Sequence, residues 1–165
     1  MLRTRQLIPP ITAQTTTGRT IHAWDYKQKK NLVIAFLEAG SPICEGFLQQ
    51  LVGEAARLAE LDAQALVIFS APPPAALSGR MPKEILVVAE MSGRSARIYL
   101  GDDSFEPAGQ TRWGIFVADR YGELHAQWVS GNTAAIPAVG EILDWLWRIE
   151  IACEECSVSR WHTED

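Results

Sequence analysis

The sequence has few cysteines, no excess of positive charge and no long apolar run. Three cysteines in 165 residues are too few for a disulfide-stabilised scaffold. The formal net charge of −5 argues against a basic surface for nucleic acid. No apolar run approaches the length that a membrane span requires. We therefore expect a cytoplasmic protein with reduced thiols, without nucleic acid or membrane among its partners.

Targeting and cofactor signals are also missing from the chain. The first residues, MLRTRQLIPPITAQ, are basic but lack a long apolar core and a small-residue cleavage site, so we expect no secretory signal. No glycine-rich phosphate loop is present, and we predict no cofactor. The length and ordinary composition predict a single domain over residues 1–165, with a loose polar tail at 157–165.

The central feature of the chain is segment 31–61. It begins with a nearly unbroken apolar run, Leu32 to Leu37, which is typical of a strand buried on both faces. A small-residue turn over 39–42 follows, and then a helix whose apolar residues recur at helical spacing as far as Leu61. Cys44 lies in the first turn of that helix. Free backbone N–H groups and the helix dipole stabilise a thiolate there, and the thiolate is the nucleophilic form of cysteine.

Strands and helices alternate along the rest of the chain. Two short strands around a glycine turn predict a hairpin at 11–24, and a second buried strand at 65–70 completes a βαβ unit with a parallel pair. We expect the strand at 32–37 in the interior of the sheet, next to the one at 65–70. The remaining pattern predicts short helices at 75–80 and 92–100, strands at 84–89, 113–118 and 123–129, and a helix at 136–151.

Three stretches carry a family resemblance. They are ITAQTTTGRTIHAWDYKQKK at 11–30, Ser41-Pro42-Ile43-Cys44, and WGIFVADRYG at 113–122. Together they resemble the peroxiredoxin-like branch of the thioredoxin-fold superfamily, the alkyl hydroperoxide reductase and thiol-specific antioxidant family, over most of residues 8–150. The resemblance implies an α/β protein with a three-layer α/β/α thioredoxin-like (redoxin) fold, a central mixed sheet and an N-terminal β-hairpin.

The same resemblance implies a thiol-dependent oxidoreductase that reduces a peroxide or disulfide substrate and is regenerated by an external thiol reductant. Cys44 would be the nucleophile and would become a sulfenic acid. Ser41, three residues earlier, would hydrogen-bond the peroxide, and Arg112 would stabilise the thiolate and the developing charge. Such a protein is compatible with a homodimer.

The environment of Cys44 depends on which of two neighbouring side chains faces it. In the family an arginine usually stands three residues before the strand phenylalanine, and here Trp113 occupies that place before Phe116. If Arg112 points towards Cys44, we expect a catalytic thiol. If Trp113 does so instead, the pocket is apolar and burial disfavours the charged thiolate.

Two alternative functions stay open. Ser41-Pro42-Ile43-Cys44 resembles the Cys-x-x-Cys motif with its first, attacking cysteine replaced by serine, which favours a non-catalytic thioredoxin-fold interaction module. A redox sensor would instead join Cys44 to Cys153 or Cys156.

The two C-terminal cysteines close the last predicted helix as Cys153-Glu154-Glu155-Cys156. Such a pair can be a resolving or redox pair or half of a zinc site. His162 is a candidate third ligand, but no fourth is apparent, and we expect no metal. We also expect both cysteines to be too far from Cys44 for a disulfide in the folded monomer.

Overall fold

The computed structural model describes residues 2–72, 81–101, 113–131 and 135–152. Their main feature is one seven-stranded mixed sheet. The strands are β1 Thr12–Thr15, β2 Thr20–His22, β3 Asn31–Leu37, β4 Ala63–Phe69, β5 Ile85–Ala89, β6 Trp113–Ala118 and β7 Leu124–Ser130. The helices in these ranges are α1 Pro42–Gly53, α2 Ala55–Glu60, α3 Arg94–Leu100 and α4 Val139–Ile151, and a 3-10 helix spans Ala23–Tyr26.

The strand order is β2-β1-β5-β4-β3-β6-β7. The three central strands β3, β4 and β5 are parallel, and β6 and β7 continue the sheet in antiparallel pairs. At the other side, β1 and β2 form the predicted N-terminal hairpin, and β1 pairs antiparallel with β5. The prediction that the apolar run of β3 lies in the sheet interior beside β4 is confirmed.

β3 separates two apolar cores, because successive side chains of a strand point to opposite faces. All seven of its residues are buried. On one face Val33, Ala35 and Leu37 belong to a core shared with Cys44 and with α1, α2 and α4, here called the Cys44-side core. On the other face Leu32, Ile34 and Phe36 belong to a core shared with Tyr99 of α3, here called the Tyr99-side core. The sheet therefore has helices on both faces, and the predicted α/β/α arrangement is confirmed.

The helix boundaries differ from the sequence predictions in three places. One helix reaching Leu61 is wrong: α1 ends at Gly53, and Glu54, with φ −103° and ψ 16°, separates it from α2. Glycine is a poor helix former, which accounts for the break. The helices expected from 92 and 136 begin later, at Arg94 and Val139. The predicted helix at 75–80 and the tail at 157–165 lie outside the described residues. Across the described ranges, no helix combines the length and apolar character needed to cross a bilayer.

Candidate functional site

Cys44 lies in the first turn of α1, as predicted. Ser41 is the N-cap residue, with extended backbone angles of φ −81° and ψ 119°, and Pro42 begins the helix. The Cys44 N–H donates a hydrogen bond to Ser41 Oγ at 3.4 Å. Gly40 has φ +83°, a left-handed conformation that glycine adopts without steric cost. The Gly-Ser-Pro sequence thus ends the loop between β3 and α1 and begins the helix. It also places the Ser41 hydroxyl beside the backbone of Cys44.

The side chain of Cys44 faces the interior of the molecule. It is 1% exposed and is a free thiol within the Cys44-side core. Phe47, one turn further along α1, is buried in the same core, whereas Ile43 is 43% exposed. The backbone of Cys44 is therefore at the helix terminus, but its sulfur is among apolar side chains.

Trp113 contributes to this apolar environment. It begins β6, opposite Ser130 of β7, and the next residue, Gly114, pairs with Phe36 of β3. Its side chain is 1% exposed and belongs to the Cys44-side core. Trp113 and Cys44 therefore share one apolar core, and the orientation of Arg112 towards the thiol stays a prediction, because residue 112 lies outside the described ranges.

Three of the predicted site residues, Arg112, Cys153 and Cys156, lie outside the described residues, as does His162. Their roles stay predictions, and so do the catalytic roles of Cys44 and Ser41. Within the described ranges, no three His, Cys, Asp or Glu side chains come together as a metal site.

A polar cluster that sequence reasoning missed lies at the opposite end of β3. Asn31, fully buried, donates through Nδ2 to Leu61 O at 3.0 Å and to Glu150 Oε1 at 2.6 Å. Its Oδ1 accepts from the Arg120 backbone N–H at 3.1 Å. The Arg120 guanidinium also bonds Glu150 Oε1 at 2.5 Å. The cluster therefore joins the start of β3 to the β6–β7 turn and to the last turn of α4.

The sequence signal for this cluster was a single polar residue at the start of an otherwise apolar strand. A buried amide needs hydrogen-bond partners, so Asn31 pointed to a polar contact at this end of the sheet.

A second polar pair, Asp119 and His125, stabilises the turn between β6 and β7. His125 Nε2 lies 3.0 Å from Asp119 Oδ2, and the backbone N–H groups of Tyr121 and Glu123 each donate to Asp119 Oδ1 at 2.9 Å. Burial alone would raise the pKa of Asp119. The hydrogen bonds from His125 and the two backbone groups outweigh it, and they hold the pKa of this carboxyl below its usual value.

The architecture and the position of Cys44 define a thioredoxin-fold protein. No protein-family model and no curated protein matches the sequence. Solved structures do match. A yeast mitochondrial 1-Cys peroxiredoxin has a TM-score of 0.72 at 16% identity, over 87% of this chain and 74% of that chain. The mitochondrial 2-Cys peroxiredoxin of Plasmodium falciparum has a TM-score of 0.68 at 16% identity, over 89% of this chain and 94% of that chain.

A third structure is named as the thiol:disulfide interchange protein DsbE of Chlorobium tepidum. Its TM-score is 0.66 at 18% identity, over 88% of this chain and 99% of that chain. At these identities the likeness concerns the fold. It confirms that the chain has the thioredoxin fold of peroxiredoxins and of this interchange protein, as the sequence resemblance implied.

Proposed function

We propose that the protein is a thiol oxidoreductase that reduces a peroxide or a disulfide through Cys44. The observation that carries this proposal is the placement of Cys44 in the first turn of the helix that follows the central strand, with the Ser41 hydroxyl at its backbone. The free N–H groups of a helix start favour a thiolate, which is the form that attacks peroxides and disulfides.

The proposed peroxide reaction is a two-electron transfer at sulfur. The Cys44 thiolate attacks one peroxide oxygen, an S–O bond forms and the O–O bond breaks, and the departing oxygen takes a proton to become water or an alcohol. The sulfur is oxidised to sulfenic acid. A thiol reductant then displaces water to give a mixed disulfide, and a second thiol regenerates Cys44. With a disulfide substrate, the same thiolate attacks one sulfur and forms the mixed disulfide directly.

Ser41 and Arg112 complete the proposed site. The cap uses Ser41 Oγ as an acceptor, and a hydroxyl also has one donor, which is available for a peroxide oxygen. Arg112 would supply the cation that stabilises the thiolate and the developing charge. The proposal further includes an external thiol reductant, a homodimer, and the cytoplasm as the location, since three cysteines suit a reducing compartment.

A second candidate is a non-catalytic interaction module. The observation that favours it is the 1% exposure of Cys44 in a core that includes Trp113. In this case Cys44 is a small apolar core residue, a common role for a free cysteine.

Peroxide and disulfide turnover by the purified chain separates the two candidates. We expect consumption of hydrogen peroxide, an alkyl hydroperoxide or glutathione disulfide in the presence of dithiothreitol, and its loss in Cys44→Ser. The double variant Cys153→Ser/Cys156→Ser is the matched control and retains turnover, because the reductant is external.

Thiol modification followed by mass spectrometry is the second measurement. A reactive Cys44 is alkylated in the native protein, at a rate that rises with pH as the thiolate forms. Turnover that survives Cys44→Ser, or alkylation of Cys44 only at the rate of global unfolding, would show that Cys44 is not the nucleophile and would favour the interaction module.

A further inference from the structure

Three large apolar side chains are exposed around the β6–β7 turn. Leu7 is 59% exposed, Trp24 39% and Tyr121 49%. Gly122, which follows Tyr121, lies against Leu7, since a Cβ built on this glycine would be 3.9 Å from Leu7 Cδ2. Gly122 and Trp24 both line one small cavity. The three exposed side chains therefore belong to one area, here called the Trp24 surface.

The cavity in the Trp24 surface has a volume of about 10 Å³ and lies between the 3-10 helix, the start of β3 and the β6–β7 turn. Three buried side chains, Ile8, Ala23 and Leu32, form apolar walls, and the rings of Trp24 and Tyr26 add to them. A volume of this size holds about one water-sized group. The cavity therefore suits the terminal methyl group of an aliphatic side chain and is too small for an aromatic ring or a nucleobase.

Unpaired positive charge lies at the cavity, although the chain as a whole has a net charge of −5. Lys27 lines the cavity, and its Nζ lies 4.4 Å from the centroid of the Trp24 ring. Lys29 is exposed in the same turn. Among the described residues, neither lysine has a carboxylate within ion-pair distance. Both charges are thus available to an external acidic group.

The remaining charged side chains of the cavity do not cancel this charge. Lys30 and Arg120 also line it, and each pairs with a carboxylate, at 2.8 Å and 2.5 Å. The one carboxylate among the described lining residues is that of Asp119, and it accepts the hydrogen bonds of the β6–β7 turn. The lining therefore has three cations and one anion.

We propose that the Trp24 surface binds a peptide segment of a partner protein, with an aliphatic side chain in the cavity and carboxylates beside Lys27 and Lys29. A small apolar pocket flanked by exposed tryptophan and tyrosine is typical of the centre of a protein interface. The two lysines select acidic neighbours of the aliphatic side chain, because opposite charges across an interface favour one partner over others. The same charge disfavours a second copy of this chain, since two such surfaces would repel each other.

This surface is separate from the site proposed for Cys44. Leu32 of the cavity wall lies at the start of β3, whereas Cys44 follows the end of that strand. The two sites are therefore at opposite ends of β3, and peptide binding does not depend on a reactive thiol.

The test is fluorescence polarisation of the full chain with a labelled pentapeptide, in which a central isoleucine lies between pairs of glutamates and both ends are blocked. We expect saturable binding that weakens as the salt concentration rises. Lys27→Glu/Lys29→Glu should weaken binding by ~10-fold or more, because two surface charge pairs change from attraction to repulsion. The matched control, Lys83→Glu/Arg94→Glu, reverses two exposed cations elsewhere with the same change in net charge, and it should bind like the wild type.

A second peptide tests the cavity. With alanine in place of isoleucine the peptide keeps its charge but no longer fills the cavity, so it should bind ~4-fold or more weakly, the effect of withdrawing one buried methyl-sized group. In amide NMR spectra, the isoleucine peptide should shift the resonances of Ala23 and Gly122. Absence of saturable binding, equal binding of the two peptides, equal binding of an oligothymidylate, or resonance shifts confined to residues away from the cavity would overturn the proposal.

Two further outcomes would assign the Trp24 surface to a different occupant and so overturn the proposal. Self-association of the wild type that is lost in Lys27→Glu/Lys29→Glu would indicate a second copy of the chain. Tighter peptide binding by Glu154→Gln/Glu155→Gln would indicate that acidic residues of the chain itself compete for the surface.

Discussion

Gly114 shows how tightly β6 packs against α3. A Cβ built on Gly114 would lie 2.3 Å from Leu100 Cδ2 and 2.8 Å from Phe116 Cε2. Both neighbours are buried in the Tyr99-side core, at 4% and 0% exposure, so neither has open space to move into. The residue at this position is therefore set by packing.

We predict that Gly114→Ala lowers the free energy of unfolding by about 1–3 kcal/mol, the usual cost of overpacking a core. The measurement is urea denaturation followed by circular dichroism. The matched control is Gly46→Ala in α1, where an added Cβ has no neighbour within 4 Å and alanine favours the helix by up to ~1 kcal/mol. Equal stability of the Gly114 variant and the wild type would contradict the packing argument.

The Asp119 carboxyl predicts a specific pH dependence. Its pKa in the folded protein is below the usual value, so its ionised form stabilises the fold above the unfolded pKa, about 4. That stabilisation is lost as the pH falls through the lower, folded value. In urea denaturation, the wild type should exceed Asp119→Asn in stability near neutral pH, and the difference should shrink in acid.

The exposed Asp144 on α4 provides the control for this pH effect. Asp144→Asn should show the same dependence of unfolding free energy on pH as the wild type. The reason is that no hydrogen bond of the β6–β7 turn involves the Asp144 side chain. A difference between wild type and Asp119→Asn that stays constant down to strongly acidic pH would show that the turn does not depend on ionised Asp119.

At the scale of elements, the start of α1 could be predicted from the sequence, whereas the burial of the Cys44 side chain could not. Three neighbouring residues, Gly40, Ser41 and Pro42, mark the start of a helix in the local sequence. They predict Cys44 in its first turn without reference to distant residues. The burial of Trp113 depends on the register of β6 against β3, which is fixed by pairs such as Gly114 with Phe36. Sequence-local reasoning does not determine such a register.

The N-cap predicts a measurable contribution of Ser41 to stability. Ser41→Ala removes the acceptor of the Cys44 N–H and should lower the free energy of unfolding by about 0.5–1 kcal/mol, the lower part of the range for caps, because this bond is long at 3.4 Å. Ser41→Thr retains both the cap and the hydroxyl and should be close to the wild type. Thermal unfolding monitored by circular dichroism compares the three proteins, and an unchanged Ser41→Ala would mean that the cap is not formed.

At the scale of the whole molecule, the sequence signals a polar residue at Asn31 but does not identify its partners, because they are distant along the chain. Asn31 and Glu150 are 119 residues apart. Their hydrogen bond places the end of α4 at the start of β3, whereas Cys44 follows the end of β3. The strand has seven residues, which separates its ends by about 20 Å.

This separation supports the prediction that no disulfide joins Cys44 to Cys153 or Cys156 in the folded monomer. Cys153 follows Ala152, the residue directly after α4, and a disulfide requires Cα atoms within about 7 Å. Cys156 would need its segment to run back along the molecule almost fully extended. After stoichiometric peroxide, mass spectrometry should find an oxidised Cys44 without an intrachain link. A rapidly formed Cys44–Cys153 or Cys44–Cys156 bond would favour the redox sensor.

The two faces of β3 also determine how far a packing change can spread through the protein. Side chains of this strand alternate between the Cys44-side core and the Tyr99-side core, and the backbone of the sheet lies between the two cores. Because protein interiors are close-packed, a void opened in one core is relieved mainly by the side chains of that same core. Changes in opposite cores share few side-chain neighbours, so their effects on stability add.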